Sequence, residues 1–287
     1  MAEAQIGIIG GSGLYDMEAL TDREEVRPKT PFGEPSDAIV LGTLEGTRVA
    51  FLPRHGKGHR LNPTNIPVRA NIFALKTLGV THVVSISAVG SLREEVRPLD
   101  MVVPDQLIDR TRSRVNSFFE EELVVHAAFA DPYCPALSQA LFDVASSATE
   151  RAHKGGAMIV MEGPLFSTRA ESEMYRSWGA SIIGMTGLPE AKLAREAELC
   201  YATLACATDY DCWRPGYDSV SVELVVGNLI KNVGAAQEII RNLMGLIPDR
   251  QGCDCQNALR DAIITSRERI PDRLKEELRP LIGKYIS

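Results

Sequence analysis

The sequence predicts an α/β protein built around a largely buried sheet, and two patterns carry that reading. Short β-branched runs alternate with longer segments of helical period, and several of those runs lack the polar alternation of a half-exposed strand. Strands are expected at Gln5 to Ile9, Asp37 to Leu44, Arg48 to Pro53, His82 to Ser87, Met101 to Pro104, Ala157 to Met161, Ser181 to Met185 and Ala202 to Thr208. Helices are expected at Asn65 to Leu78, Ala136 to Thr149, Thr168 to Trp178 and Pro189 to Glu198. Thr168 with Glu171 supplies a capping box, and Pro189 suits a first helical turn. A long helix is expected from Ser221, with Val222, Val225, Val226, Leu229, Ile230, Val233, Ile240 and Leu243 on one stripe read as mostly core. After Pro248 and Gly252 the tail from Asn257 to Ile286 reads as two amphipathic helices separated near Pro271.

The 287 residues are 45% hydrophobic and 24% charged, the balance of a globular chain and not of a disordered one. No repeat or long linker divides them, so a single domain over 1-287 is expected, with a helical extension from about 248. A net charge of −7 excludes the cationic face that a nucleic-acid coat or a polybasic membrane anchor requires. Apolar stretches break before the roughly 20 residues of a membrane span. Six cysteines are too few and too scattered for a secreted disulfide scaffold, and no basic leader precedes the first apolar run, so a cytoplasmic compartment is expected.

Candidate chemistry collects where strands end. Ile6-Gly7-Ile8-Ile9-Gly10-Gly11-Ser12-Gly13 is a buried strand entering a glycine-rich turn that can present N–H groups and a hydroxyl to an anion. Its spacing fails the dinucleotide fingerprint, because Asp16 stands where the third glycine belongs. Arg54 and His55 follow the strand ending at Pro53, and a fixed guanidinium there matches a phosphate in bidentate geometry. Lys57 and Arg60 read as a solvated charge run. Ser87 and Thr186 close two further strands, so four strand exits each deliver an anion donor. Asp209 and Asp211 follow Ala202 to Thr208 and can converge on one ligand, where close like charges keep one carboxyl protonated. An acidic turn or a metal pair are the rival readings of that pair. Cys253-Asp254-Cys255 reads as a redox pair or as half of a metal site, but its spacing is unusual for zinc and two further ligands are missing, so no metal is expected.

These segments resemble the purine nucleoside phosphorylase superfamily, and within it the methylthioadenosine-cleaving subfamily. The resemblance rests on Gly7 to Leu14, Thr30 to Asp37, Arg54-His55-Gly56, Gly90 to Glu95, Glu162-Gly163-Pro164, Phe166 to Ser172, Trp178-Gly179-Ala180, Pro189-Glu190 and Ala207 to Trp213, in family order from residue 6 to about 245. It implies a distorted mixed central β-sheet flanked by helices, and a homotrimer or a hexamer made of two trimers. It implies phosphorolysis of methylthioadenosine to adenine and 5-methylthioribose 1-phosphate, with phosphate as co-substrate and no metal or organic cofactor. Carried over, Ser12, Arg54, His55, Ser87, Ala88 and Thr186 would hold phosphate. Ala88, Phe166, Ser167 and Met185 would line the nucleoside site, Asp209 and Asp211 would face purine N7 and the 6-amino group in either order, and His126 would reach a neighbouring subunit. Serine stands at 12 and 87 where threonine is common, and Gly184 replaces an expected asparagine.

Breaking the N-glycosidic bond needs an anion near C1′ and a proton donor at N7, supplied by positioning and electrostatics. Val222 and Val225 either present an apolar wall to a methylthio group or belong to the core. A 6-oxopurine nucleoside phosphorylase, a hydrolase on the same fold and a nucleotide-binding regulator without turnover are the competing functions.

Overall fold

The computed structural model describes residues 3–11, 14, 17–217 and 220–286. Ser12, one of the expected anion donors, lies outside the described residues. In chain order the elements are β1 (Ile6–Gly10), β2 (Thr21–Val26), β3 (Ile39–Leu44), β4 (Thr47–Pro53), α1 (Val68–Thr77), β5 (His82–Ser91), β6 (Met101–Val103), β7 (Gln106–Arg110) and α2 (Pro135–Ala148). There follow β8 (Ala152–Lys154), β9 (Ala157–Met161), α3 (Arg169–Ser177), β10 (Ile182–Gly184), α4 (Gly187–Glu196), β11 (Cys200–Asp209), α5 (Val222–Leu243), α6 (Asp272–Glu277) and α7 (Arg279–Ile286).

The described strands form one mixed sheet in the order β2-β3-β4-β1-β5-β10-β9-β7, with β11 also paired to β5 and leading through β6 to β8. The long β5 is the junction. It runs parallel to β1 and to β11, and its last residues turn to pair antiparallel with β10. The expected distorted mixed sheet flanked by helices is therefore present. Five wholly buried residues, Ile-Gly-Ile-Ile-Gly, make β1 an interior strand between β4 and β5.

Apolar residues pack on both faces of this sheet. On one side α1, α4 and α7 bring together Ile72, Leu75, Leu193, Leu281 and Ile282, and on the other α2 and α5 contribute Leu137, Leu141, Ile239, Ile240 and Leu243. A third cluster holds Leu92, Ile159, Tyr175, Ile183, Tyr210 and Trp213 beneath the end of β11. Among the described residues, no helix is long and apolar enough to cross a membrane.

Three strands were not foreseen. β2 reads Thr-Asp-Arg-Glu-Glu-Val and is exposed along most of its length, an edge strand whose charges guard its unpaired side and erase the apolar signal. β7 and β8 lie at the far ends of the sheet path and are only partly buried. The first of the two expected tail helices is absent. Short 3-10 turns occupy Asp254–Asn257 and Arg267–Arg269, and between them the backbone at Ile263 bridges to Val125, so tertiary pairing overrides local helical period.

The stripe on α5 is also corrected. Val222, Val226 and Ile230 are 68%, 45% and 67% exposed, whereas Asn228 and Asn232 are buried with Ala236, Ile239, Ile240 and Leu243. Two amides replace apolar side chains on the buried face because β11 presents carbonyl oxygens there.

Candidate active site

Because β1, β4, β5 and β11 run parallel, their carboxyl ends open on the same side of the sheet, where ligands of α/β proteins gather. The cationic half of the site follows β4. The backbone N–H of Arg54 donates to Gly10 at 2.9 Å, which ties the exits of β4 and β1 together. Its side chain is 3% exposed and already engaged: Nε and Nη2 donate to Glu190 of α4, Nη1 to the Ile86 carbonyl, and Nη2 also to Ser85 Oγ at 2.7 Å. Nη2 also lies 3.3 Å from the Ile9 carbonyl, so among the described contacts one Nη1 hydrogen is left without an acceptor. Arg54 is thus first a buried ion pair that locks α4 to the sheet, a role that sequence position alone did not suggest.

His55 Nδ1 donates to the Leu61 carbonyl at 2.8 Å, and its ring stacks on His59 with centroids 4.1 Å apart. Burial, reinforced by the Arg54 guanidinium, pulls His55 down to about 4. The ring is neutral near pH 7, and its Nε2 is a hydrogen-bond acceptor. Ser87 Oγ lies 2.5 Å from Thr186 Oγ1, so the hydroxyls expected on separate strand exits do meet. Thr186 stands where β10 enters α4; the helical backbone proper starts after the extended Leu188, with Pro189 in its first turn. The solvated charge run behaves as expected: Lys57 bonds Glu25 and Arg60 lies 3.8 Å from Asp37, all but Asp37 well exposed.

The acidic half rests on an irregularity in β11. Pairing with β5 is regular up to Ala207 opposite Val89 and resumes with Asp209 opposite Gly90, which leaves Thr208 as a bulge. A bulge frees backbone carbonyls that must find donors. Asn228 Nδ2 donates to the Thr208 carbonyl at 2.7 Å and Asn232 Nδ2 to that of Ala207 at 3.3 Å, one turn apart on α5. The bulge re-aims Asp209 so that Oδ1 accepts the Asp211 N–H and Oδ2 meets the Thr208 hydroxyl, both at 2.7 Å.

Asp211 sits at φ 50°, a left-handed conformation that aspartate tolerates better than most residues. Gly90 is what admits the pair: a Cβ there would stand 2.9 Å from Asp209 Oδ1 and 3.4 Å from Asp211 Cβ. Trp213 fixes the turn from beneath, with Nε1 donating to the Ser91 carbonyl at 2.8 Å.

Burial pushes Asp209 up to about 6, with the neighbouring Asp211 adding to the shift. Burial raises Asp211 as well, opposed by the Ser172 and Ser167 hydroxyls. At 5% and 7% exposed, the two carboxyls are a buried pair that burial shifts toward protonation.

Ala88, like Gly90, is half-buried on β5, and Met185 packs against Gly163. Ser167 contacts Met161 Sδ, and its carbonyl lies 3.3 Å from Cys212 Sγ, which brings the loop after β9 to the Asp211 turn. Phe166 is 41% exposed beside it. At Gly184 a Cβ would stand 2.6 Å from Met158 Cε, so the asparagine expected there would require the Met158 side chain to move. Val222 and Val225 open α5, the first exposed and the second half-buried, so neither is core. His126 is exposed, and its backbone N–H donates to Ala262.

Arg114 had no sequence signal. Its side chain is 3% exposed and donates to the carbonyls of Met185 and Leu188 at 2.6 Å and to that of Met161 at 3.2 Å, clamping the exits of β9 and β10. Asn228 and Asn232 had one: two amides four residues apart inside an apolar helix.

The raised carboxyl at Asp209 has a stability consequence. Folding lifts it from 3.8 to about 6, so its contribution is present below pH ~4 and is lost as pH rises through ~6. Above that, the buried charge costs on the order of 3 kcal/mol. Asp209→Asn should therefore raise the thermal midpoint of the unliganded protein near pH 8 and leave it little changed near pH 4. Scanning calorimetry at the two pH values checks this.

The family profile described as the phosphorylase superfamily matches residues 5–244. S-methyl-5′-thioadenosine phosphorylases of Koribacter versatilis and Geobacter sulfurreducens are each 54% identical over 285 residues, covering 99% of this chain and 98% and 100% of theirs. A crystal structure of a methylthioadenosine phosphorylase from an Antarctic soil metagenomic library superposes with a TM-score of 0.93 at 50% identity, covering 98% of this chain and 99% of that one. The Schistosoma mansoni methylthioadenosine phosphorylase in complex with adenine gives 0.86 at 34% identity over 91% of this chain and 99% of its own. With profile, relatives and solved structures in agreement over nearly the whole length, the chain belongs to the phosphorylase superfamily and, within it, to the S-methyl-5′-thioadenosine phosphorylases.

Proposed function

We propose that this chain cleaves S-methyl-5′-thioadenosine with inorganic phosphate, releasing adenine and 5-methylthio-α-D-ribose 1-phosphate. The observation that carries the reading is the raised carboxyl of Asp209, paired with Asp211 and set at the same sheet end as Arg54, His55, Ser87 and Thr186. In the reaction the C1′–N9 bond breaks, a phosphate oxygen bonds C1′, and the purine takes up a proton at N7. Asp209 delivers that proton, and ionised Asp211 accepts from the 6-amino group. Phosphate sits on Ser12, the free Nη1 hydrogen of Arg54, the Ser87 and Thr186 hydroxyls and the chain near Ala88, while neutral His55 accepts a P–OH hydrogen through Nε2. Its charge stabilises the oxocarbenium-like sugar as the bond opens.

Phe166, Ser167 and Met185 hold the nucleoside, and Val222 with Val225 meets the methylthio group from the start of α5. No metal or organic cofactor takes part in this step. The working form is a homotrimer or a hexamer of two trimers, in which His126 serves a neighbouring subunit; the exposed Val222, Val226 and Ile230 favour such an assembly. The chain acts as one nucleoside phosphorylase domain with its helical extension, in the cytoplasm.

Adenine release, followed with and without phosphate, tests the reaction directly. Strict phosphate dependence and preference for methylthioadenosine over methylthioinosine are expected. Asp211→Asn should raise the methylthioinosine to methylthioadenosine ratio of kcat/KM, since an amide donates to a 6-oxo group that a carboxylate repels. Phosphate-independent release marks a hydrolase, and wild-type preference for methylthioinosine marks a 6-oxopurine enzyme.

Arg54 carries two roles that can be separated. Arg54→Ala should cost roughly 3–5 kcal/mol by stranding the buried Glu190. Arg54→Met with Glu190→Gln should regain part of that stability in urea unfolding while the apparent KM for phosphate stays raised. A double variant with unchanged phosphate saturation would place Arg54 outside the phosphate site.

A further inference from the structure

Four of the six cysteines come from three separate stretches of chain and meet at one point: Cys134 before α2, Cys200 at the start of β11, and Cys253 and Cys255 in the extension. Their sulfur atoms all lie within 4.8 Å of one another, with Cys200 at the opposite end of β11 from Asp209. Cys134, Cys200 and Cys255 are buried at 1%, 1% and 4% exposure. Cys206 and Cys212 stay outside the group, so the convergence does not follow from cysteine content alone.

Cys253-Asp254-Cys255 lacked two zinc ligands in the sequence, and the fold brings two thiols to it. Cys253 Sγ is 3.8 Å from that of Cys134 and 3.6 Å from that of Cys200. A tetrahedron of thiolates about 2.3 Å from zinc has sulfurs about 3.8 Å apart. Near-equal distances to two partners suit a shared centre better than one chosen disulfide, which would bring a single pair to about 2 Å.

The surroundings suit thiolates. Cys134 occupies the N-cap of α2, where the helix places partial positive charge. The Arg195 guanidinium lies 3.9 Å from Cys255 Sγ. Both offset the net −2 charge of four thiolates on one Zn²⁺.

We propose that Cys134, Cys200, Cys253 and Cys255 bind a structural Zn²⁺ that pins the C-terminal extension to β11 and α2. Uptake exchanges the four thiol protons for the ion, with no oxidation or reduction. With four protein ligands the site is closed and serves stability, not turnover.

The test uses the full-length protein expressed with zinc, purified without chelator, and analysed for metal by plasma mass spectrometry. The expectation is about one zinc per chain in the wild type and in Cys212→Ser, and less than half of that in Cys134→Ser and Cys255→Ser. Refolding the wild type with Co²⁺ in place of zinc should give the intense visible bands of tetrahedral thiolate cobalt, a result that needs no variant to fold. Reduced wild-type protein that takes up neither ion overturns the proposal. So does an intact mass, after alkylation in denaturant, showing these sulfurs joined as disulfides and short of two hydrogens per pair.

Discussion

Everything at the site depends on one parallel ladder, β5 against β11, and on the single residue by which it falls out of register. Were the pairing regular through residue 209, the Asp209 side chain would follow the strand's alternation and leave its present place beside Gly90. The bulge at Thr208 turns it there, and Gly90, without a side chain, leaves the space. The displaced carbonyls are costly if buried alone, and Asn228 and Asn232 satisfy them from α5. The first half of α5's buried face carries two amides for that reason, while Val222, Val226 and Ile230 turn outward.

Two electrostatic environments then lie on one sheet end. Near β4 a guanidinium is buried with its own carboxylate, which holds α4 against the sheet, and burial together with that guanidinium keeps the adjoining imidazole neutral. Beneath β11 two carboxyls are buried with no cation paired to them among the described contacts, so burial raises both above the ordinary carboxylate range. The first environment suits an anion and the second a base that must be protonated to leave.

Much of this was legible in the sequence. Buried β-branched runs gave the interior strands, and strand exits marked Arg54, His55, Ser87, Thr186 and the two aspartates. What stayed hidden has physical causes. β2 carries charge because it is an edge, and the tail's periodicity yields to a bridge made by Val125 far away in sequence. Glu190 as the partner of Arg54, and Arg114 as a clamp on four carbonyls, are long-range facts with no local pattern. The same holds for the cysteines, since Cys134 and Cys200 are brought to Cys253 and Cys255 only by the fold.

Folding alone, before any ligand binds, lifts Asp209 well above an ordinary aspartate. Carboxyl carbon NMR of the aspartate-labelled, unliganded protein measures it, with the resonance assigned by its loss in Asp209→Asn. The account predicts a titration near 6, well above an ordinary aspartate. A midpoint in the ordinary range, near 4, would contradict it.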